Sequence, residues 1–309
     1  MTVKATGGGK FDRTEHRQGA KFFFASVFSH IRNLEVPDAM PNILLPVHGL
    51  VGISEGDLET REKMLDSDEH QLLVDSGAFT LAHEYSKRWK VSLDTAFAAE
   101  PSELDGFDEL MADYRSFIEE HEDRVWGYVE LDLGGTDKKR ELRHSMEAEG
   151  FRPIPVFHPL TDPWEYFQEI VGEYDRVCVG NVVALSHQMR TRLLHRLYKD
   201  WKETNPDCWI HILGMTPTTN AALSLPFSSY DSSTWTTAFR WRIQMNCLAL
   251  GNVRSGMLPP YMHWPPGSDS EIVTKMTEYA IMQYYAVTRG NSHYLASRRE
   301  ALDTTETPE

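Results

Sequence analysis

The chain has 309 residues, 41% hydrophobic and 11% aromatic, enough for one large core and normal in length for a single α/β barrel. Its net charge of −15 argues against binding nucleic acid through a generally basic surface, although a local basic face on an acidic chain is allowed. No apolar run reaches the roughly 18 residues a membrane-spanning helix needs, and the opening MTVKATGGGKFDRTEHRQGA has no apolar signal-peptide core, so no membrane partner and a cytoplasmic location are expected.

Residues 1–20 read as a flexible N-terminal tail and 300–309 as a C-terminal one, with a single domain over 21–299 between them. From there short apolar runs alternate with longer amphipathic or charged segments. The runs are KFFFASV (21–27), NILLPV (42–47), LLVD (72–75), WGYVELD (126–132), IPVFH (154–158), RVCVGN (176–181), WIHILG (209–214) and SSYD (228–231). Each is short and apolar, as a parallel strand buried on both faces should be. Between them, DLETREKMLDSDE has helical charge spacing, and GFDELMADYRSFIEEHE repeats apolar residues at Leu110, Met111, Tyr114 and Phe117. DPWEYFQEIVGEY opens with an Asp cap and Pro at the first helical position, and SHQMRTRLLHRLYKDWKE starts at a Ser cap. Residues 235–299 hold two more helical stretches, TTAFRWRIQMNCLAL and SEIVTKMTEYAIMQYYAVT, joined by LPPYMHWPPG. The pattern predicts an α/β fold, a (β/α)8 TIM barrel with a C-terminal helical extension. A doubly wound open sheet is the alternative; the barrel is favoured because the strands number eight and no GxGxxG follows the first.

In such a barrel the active site lies at the carboxyl ends of the strands. Those ends carry Asp75, Asp132, His158, Asn181, Gly214 and Asp231. Ionisable groups are costly at the top of an apolar strand unless paired or used. One such acid reads as a helix cap, but three acids and an imidazole at one mouth point to a site. Paired carboxylates suit chemistry at an anomeric carbon, one attacking and the other moving a proton, which describes a glycoside hydrolase as well as a base-exchange enzyme. Taken singly, Phe79 and Leu213 read equally well as barrel packing, and Asp132 as a cap on the helix after GGTD. The histidines His187, His195, His211 and His263 lack metal spacing and read as packing or surface residues. Cys178, Cys208 and Cys247 form no CxxC pair and read as free buried thiols.

The short motifs resemble, in order over about residues 70–240, those of the tRNA-guanine transglycosylases and of their relatives that insert 7-deazaguanines into DNA. VDSGAFT resembles the family's DSGGF/Y motif, ELDL its strand-end acid, HILGM its Leu-Met-Gly strand and YDSSTW its Phe-Asp-Cys nucleophile strand; PVFH and VGNVV fall where the family has a Gln-terminated strand and a Gly-Gly-Leu-Ala turn. The resemblance implies roles. Asp231 would be the nucleophile on the sugar C1′ and Asp75 the general acid/base. Asp132 would accept from the guanine N1–H and 2-amino group, a carboxylate suiting two adjacent donors. Gly180, Asn181 and Val182 would present backbone groups to O6 and the 7-substituent, His158 would donate to O6, and Phe79 and Leu213 would sandwich the base.

The departures direct the expectation further. The family's CxCxxC zinc run is absent, so no metal and no cofactor is expected. Thr237 stands where the tRNA enzymes have the first of two loop-reading arginines, and Asn181 replaces a glycine. The resemblance is therefore nearer to the phage-type DNA 7-deazaguanine transglycosylases. DNA would be the polymer partner, with tRNA the alternative, and a free 7-deazaguanine such as preQ0 the incoming base, in a host cytoplasm if phage-encoded. Basic residues cluster at Lys87, Arg88 and Lys90 and on the segment from Arg190 to Lys202. Either cluster alone reads as a solvated helix face. With DNA as partner, Arg190, Arg196, Lys199, Arg240 and Arg242 become phosphate contacts, and Trp235 and Trp241 stacking groups.

Overall fold

A computed structural model describes residues 3–11, 21–25, 40–47, 55–182, 185–215, 225, 227–233, 245–246 and 261–262. All eight expected runs form strands: β1 (Lys21–Phe24), β2 (Asn42–Pro46), β3 (Gln71–Asp75), β4 (Gly127–Tyr128), β5 (Val156–Phe157), β6 (Arg176–Val179), β7 (Trp209–Ile212) and β8 (Ser229–Ser232). They form one all-parallel sheet in the order β4-β3-β2-β1-β8-β7-β6-β5. The two outer strands of that order are joined by a parallel bridge between Val129 and Ile154. Ile154 N–H donates to the Tyr128 carbonyl (2.8 Å), and Glu130 N–H to the Ile154 carbonyl (3.0 Å). The protein is thus α/β with a curled eight-stranded parallel sheet, compatible with a TIM-like barrel. Among the described residues its helices are α1 (Glu55–Asp66), α2 (Ala78–Trp89), α3 (Leu93–Phe97), α4 (Phe107–His121), α5 (Gly135–Ala148), α6 (Trp164–Glu173) and α7 (His187–Thr204), and none is long and apolar enough to cross a membrane.

The core divides by the two-residue period of a strand. Phe22, Phe24, Ile43, Leu45, Leu72, Val74 and Tyr230 belong to the layer between sheet and helices, with Leu110, Tyr114 and Phe117 of α4 and Tyr166 and Phe167 of α6. The alternate residues Phe23, Leu44, Leu73, Val156, Cys178 and Trp209 pack with Trp126, Val129 and Ile154 inside the curl. Continuing that inner parity beyond each apolar run leads from Leu73 to Asp75, from Val156 to His158 and from Cys178 to Gly180. It leads from Trp209 to His211 and Leu213, and from Ser229 to Asp231. The pattern that fills the inside of the curl therefore also aims the polar residues into its mouth.

Three local expectations are corrected. The N-terminal segment is no loose tail over residues 3–11. Lys4 pairs in parallel with Tyr174, Thr6 donates through N–H (2.9 Å) and Oγ1 (2.8 Å) to Asp175, and Gly9 and Lys10 donate to the carbonyls of Glu122 and Val125. Phe11 packs edge-on against Trp126 and Trp209, and the Arg176 guanidinium lies 3.9 Å from its ring centroid. The segment closes the amino-terminal end of the sheet. The glycines that suggested disorder are a steric requirement: a Cβ on Gly8, at φ 118°, would collide with the backbone of Trp126.

Second, α6 starts at Trp164 with Pro163 at the cap position and no side-chain cap. Asp162 has stronger partners. Its carboxylate takes the buried Lys139 ammonium, the Thr136 hydroxyl (2.7 Å) and the His158 N–H (2.7 Å). Ser186 does cap α7, accepting from Met189 N–H. Third, Met245–Asn246 (β9), inside a stretch expected to be helical, pairs antiparallel with Tyr261–Met262 (β10). Tyr261–Met262 falls in the stretch expected as the link between the two helices. The rest of the expected C-terminal extension and tail lies outside the described residues.

Candidate active site

The strand ends surround a cavity of about 330 Å³. It is lined by Asp75, Asp132, His158, Asn181 and Asp231 with Phe79, Phe97, Leu93, Gly180 and Leu213. Three carboxylates thus share one small, largely apolar space, and each is held differently.

Asp75 ends β3, and among the described residues its carboxylate accepts one hydrogen bond, from the Gly77 N–H to Oδ1 (3.2 Å). Burial, against the weaker pull of that N–H and helped by the charges of Asp132 and Asp231, raises its pKa to about 6. The carboxyl of Asp75 is therefore poised to give and take a proton near neutral pH.

Asp231 is buried and better supplied. Its Oδ1 accepts from the Gly214 N–H (2.8 Å) and faces His211 Nε2 (3.1 Å). Behind it, His211 Nδ1 lies 2.8 Å from Ser229 Oγ, which accepts from Trp209 Nε1 (2.7 Å). From sequence alone His211 reads as a packing histidine. The signal that could have found it is its position on the inner parity of WIHILG, two residues before Leu213 and in register with Ser229.

Asp132 and His158 are bonded to each other, Oδ2 to Nε2, at 2.7 Å. The imidazole is wedged edge-on against Phe97, and its backbone N–H is held by Asp162. Gly180 makes room for it, since a Cβ there would lie 2.8 Å from His158 Cδ2 and 2.9 Å from Nε2. The alternative role for Asp132, capping α5, is not taken up: that helix has Gly134 at its cap with no side-chain bond. Asn181 adopts a left-handed conformation (φ 58°) and donates to Asp94 Oδ1 (3.2 Å), tying the β6 turn to α3.

Phe79 is 52% exposed at the cavity and stacks on His83, with ring centroids 5.6 Å apart. Leu213 also lines the cavity and packs on the inner cluster. Val182, expected beside the base, does not line the cavity; its side chain is in the core and its carbonyl accepts from Arg190 Nε (3.1 Å).

The expected phosphate contacts divide. Arg190 is half-buried and clamps the Val182 and Leu185 carbonyls, so it shapes the loop instead of offering a free guanidinium. Arg196 lies over the Trp164 ring (3.6 Å) and Lys199 pairs with Glu203 (3.7 Å), both on the exposed face of α7. At 1.5 Å per residue they lie roughly 14 and 18 Å along that helix from its start at the cavity end. Arg240, Arg242, Trp235, Trp241 and Thr237 lie outside the described residues, as does Cys247; Cys178 and Cys208 are free and buried. The residues that sequence reasoning missed are His211, Phe97, Leu93 and the Asp94 partner of Asn181. Compared with known proteins, the chain matches no family model and no curated protein.

Proposed function

We propose that the protein is a base-exchange transglycosylase on a (β/α)8 barrel, replacing guanine in DNA by a 7-deazaguanine such as preQ0. The observation that carries this reading is the unequal treatment of three carboxylates around one cavity. Asp231 has one oxygen held by donors and the other without a partner among the described residues, as a nucleophile needs. Asp75, with its raised pKa, suits the proton shuttle. Asp132, oriented by His158, suits recognition of the adjacent N–H donors on a guanine edge. The cavity is at the small end of ligand pockets, which run from about 300 to 1,000 Å³, and fits one base and its sugar better than an oligosaccharide.

In the first half-reaction Asp231 Oδ2 attacks C1′, the C1′–N9 bond breaks, and the leaving guanine takes the Asp75 proton. In the second, Asp75 takes a proton from the incoming base, whose nitrogen attacks C1′ and displaces the Asp231 carboxylate. Two inversions retain configuration, and no phosphodiester is cut. The target base must leave any duplex stack to reach the cavity. Half-exposed Phe79 and Leu213 both line the cavity and offer apolar surface to a flat ring. His158 serves the base through Asp132, since its Nε2 is bonded there.

The test is to incubate the protein with labelled guanine or 7-deazaguanine and either duplex DNA or tRNA, and to follow label into polymer. Label in DNA, abolished by Asp231→Asn together with a trapped covalent adduct, supports the reading. Label in tRNA alone overturns the choice of polymer. No label in either, with sugar released from oligosaccharides, replaces it by a glycoside hydrolase.

A further inference from the structure

We propose that His211 is a positioning residue for Asp231: it fixes which carboxylate oxygen faces the cavity and speeds release of that carboxylate from the covalent intermediate. The inference rests on the base-exchange reading above.

The hydrogen bonds behind Asp231 run in one direction. Trp209 Nε1 can only donate, so Ser229 Oγ accepts from it. The Ser229 hydroxyl proton then has His211 Nδ1 as its acceptor at 2.8 Å. With Nδ1 accepting, the neutral ring carries its hydrogen on Nε2, which donates to Asp231 Oδ1 at 3.1 Å. All four side chains are buried. The Gly214 N–H converges on the same oxygen at 2.8 Å. Two donors on Oδ1 and none from the described residues on Oδ2 make the carboxylate asymmetric: Oδ2 is the atom left to form the ester.

The consequence for rate differs between the half-reactions. While the carboxylate is free, both donors act on a charged oxygen. Once Oδ2 is esterified, Oδ1 is a neutral carbonyl oxygen and the same bonds weaken. When the incoming nitrogen attacks C1′, the C1′–Oδ2 bond breaks, its electron pair returns to the carboxylate, and the charge spreads onto Oδ1, where His211 and Gly214 meet it. The donors therefore stabilise Asp231 as a leaving group in the second step. In the first step they hold its rotamer while lowering its nucleophilicity, so the two effects there offset.

The experiment compares wild type, His211→Leu and His211→Gln. Single-turnover formation and breakdown of the covalent adduct are measured separately, with the fraction of enzyme trapped as adduct during steady exchange. His211→Leu is expected to slow breakdown about 10- to 100-fold, the loss of one hydrogen bond to a developing charge, with formation changed less and adduct accumulating. Gln, whose side-chain amide can donate in place of Nε2–H, is expected to restore most of the breakdown rate. Equal slowing of both steps without rescue by Gln means a merely structural role and overturns the inference, as does a folded Leu variant that partitions like wild type. An imidazole nitrogen NMR spectrum at neutral pH gives a second reading that needs no turnover: hydrogen on Nε2 is expected, and hydrogen on Nδ1 overturns the inference. A wild type that forms no adduct with either polymer refutes the base-exchange reading, which separates the two failures.

Discussion

Replacing Asp75 by asparagine tests the acid/base assignment through stability, with no substrate needed. The carboxyl of Asp75 is pushed up from 3.8 to about 6 by burial and by the Asp132 and Asp231 charges. A raised folded-state pKa means that the fold prefers the protonated form. The contribution is fully present below the unfolded value and is lost as the pH rises through about 6. A shift of about two units, at roughly 1.4 kcal/mol each, penalises the ionised form by about 3 kcal/mol at most, since solvent reaching Asp75 through the cavity screens part of it. A neutral amide at this position carries no such penalty, so Asp75→Asn should be more stable than wild type above neutral pH. The fixed offset from changing the side chain cancels when the gap is compared between two pH values, and integrating the two titrations gives a widening of about 1.4 kcal/mol from about pH 5 to about pH 8. Denaturant unfolding of both proteins at the two pH values measures it. A gap that stays constant, or narrows as the pH rises, would refute the raised pKa and with it the case for Asp75 as proton carrier. Base exchange by the same variant should fall by about 10²- to 10⁴-fold.

Three more perturbations probe the frame around the site. Gly180→Ala drives a methyl against the His158 ring, so it should break the Asp132–His158 bond and raise KM for the incoming base about tenfold or more, as read by exchange kinetics. Arg143→Leu strands buried Glu130, whose Oε2 it holds at 2.8 Å, and should destabilise the fold by about 3–5 kcal/mol in denaturant unfolding, with Glu130→Gln in the same chain recovering part of the loss. Phe11→Ala removes the ring packed on Arg176, Trp126 and Trp209; it should cost about 2–3 kcal/mol, below the 3–5 of a fully buried phenylalanine, and shift tryptophan emission to the red.

The strands were legible because a parallel strand buried on both faces has to be a short apolar run, and nothing else in this chain looks like KFFF, NILLP or RVCV. The cavity residues were legible because polar residues directly after such runs have little reason to be there except the mouth. Sequence reading failed where a residue's meaning depends on a partner far away in the chain. MTVKATGGGK has the composition of a tail, but its glycines are spaced for close passage over Trp126, about 120 residues later, and no local pattern says so. Asp162 stands where a helix cap should, but Lys139 on the neighbouring helix, Thr136 and the His158 N–H claim its carboxylate instead of the start of α6. Arg190 looked like part of a basic helix face, and only the folded β6–α7 loop supplies the carbonyls that claim it. His211 was hidden for the opposite reason. A lone histidine in an apolar strand is usually packing, and its register with Ser229 and Asp231 exists only once β7 and β8 are paired.

That pairing bears on how one scaffold can ask opposite things of the same side chain. Asp75 and Asp231 face each other's charge across the cavity. Symmetric surroundings would leave them to share a proton, with neither committed to a role. The backbone breaks the symmetry. After β3 the chain turns at once into α2, so among the described residues a single N–H, that of Gly77, reaches the Asp75 carboxylate, and the buried charge is left costly. β7 ends at Ile212 and the chain turns over Leu213 and Gly214, which brings the Gly214 N–H and the His211 ring onto Asp231 together. In the proposed reading the carboxylate with more donors attacks, and Asp75, with its raised pKa, carries the proton. In the proposed reading the division of labour follows from where the two strand ends turn. Exchanging the side chains at 75 and 231 for other acids without moving those turns should leave each position in its own role.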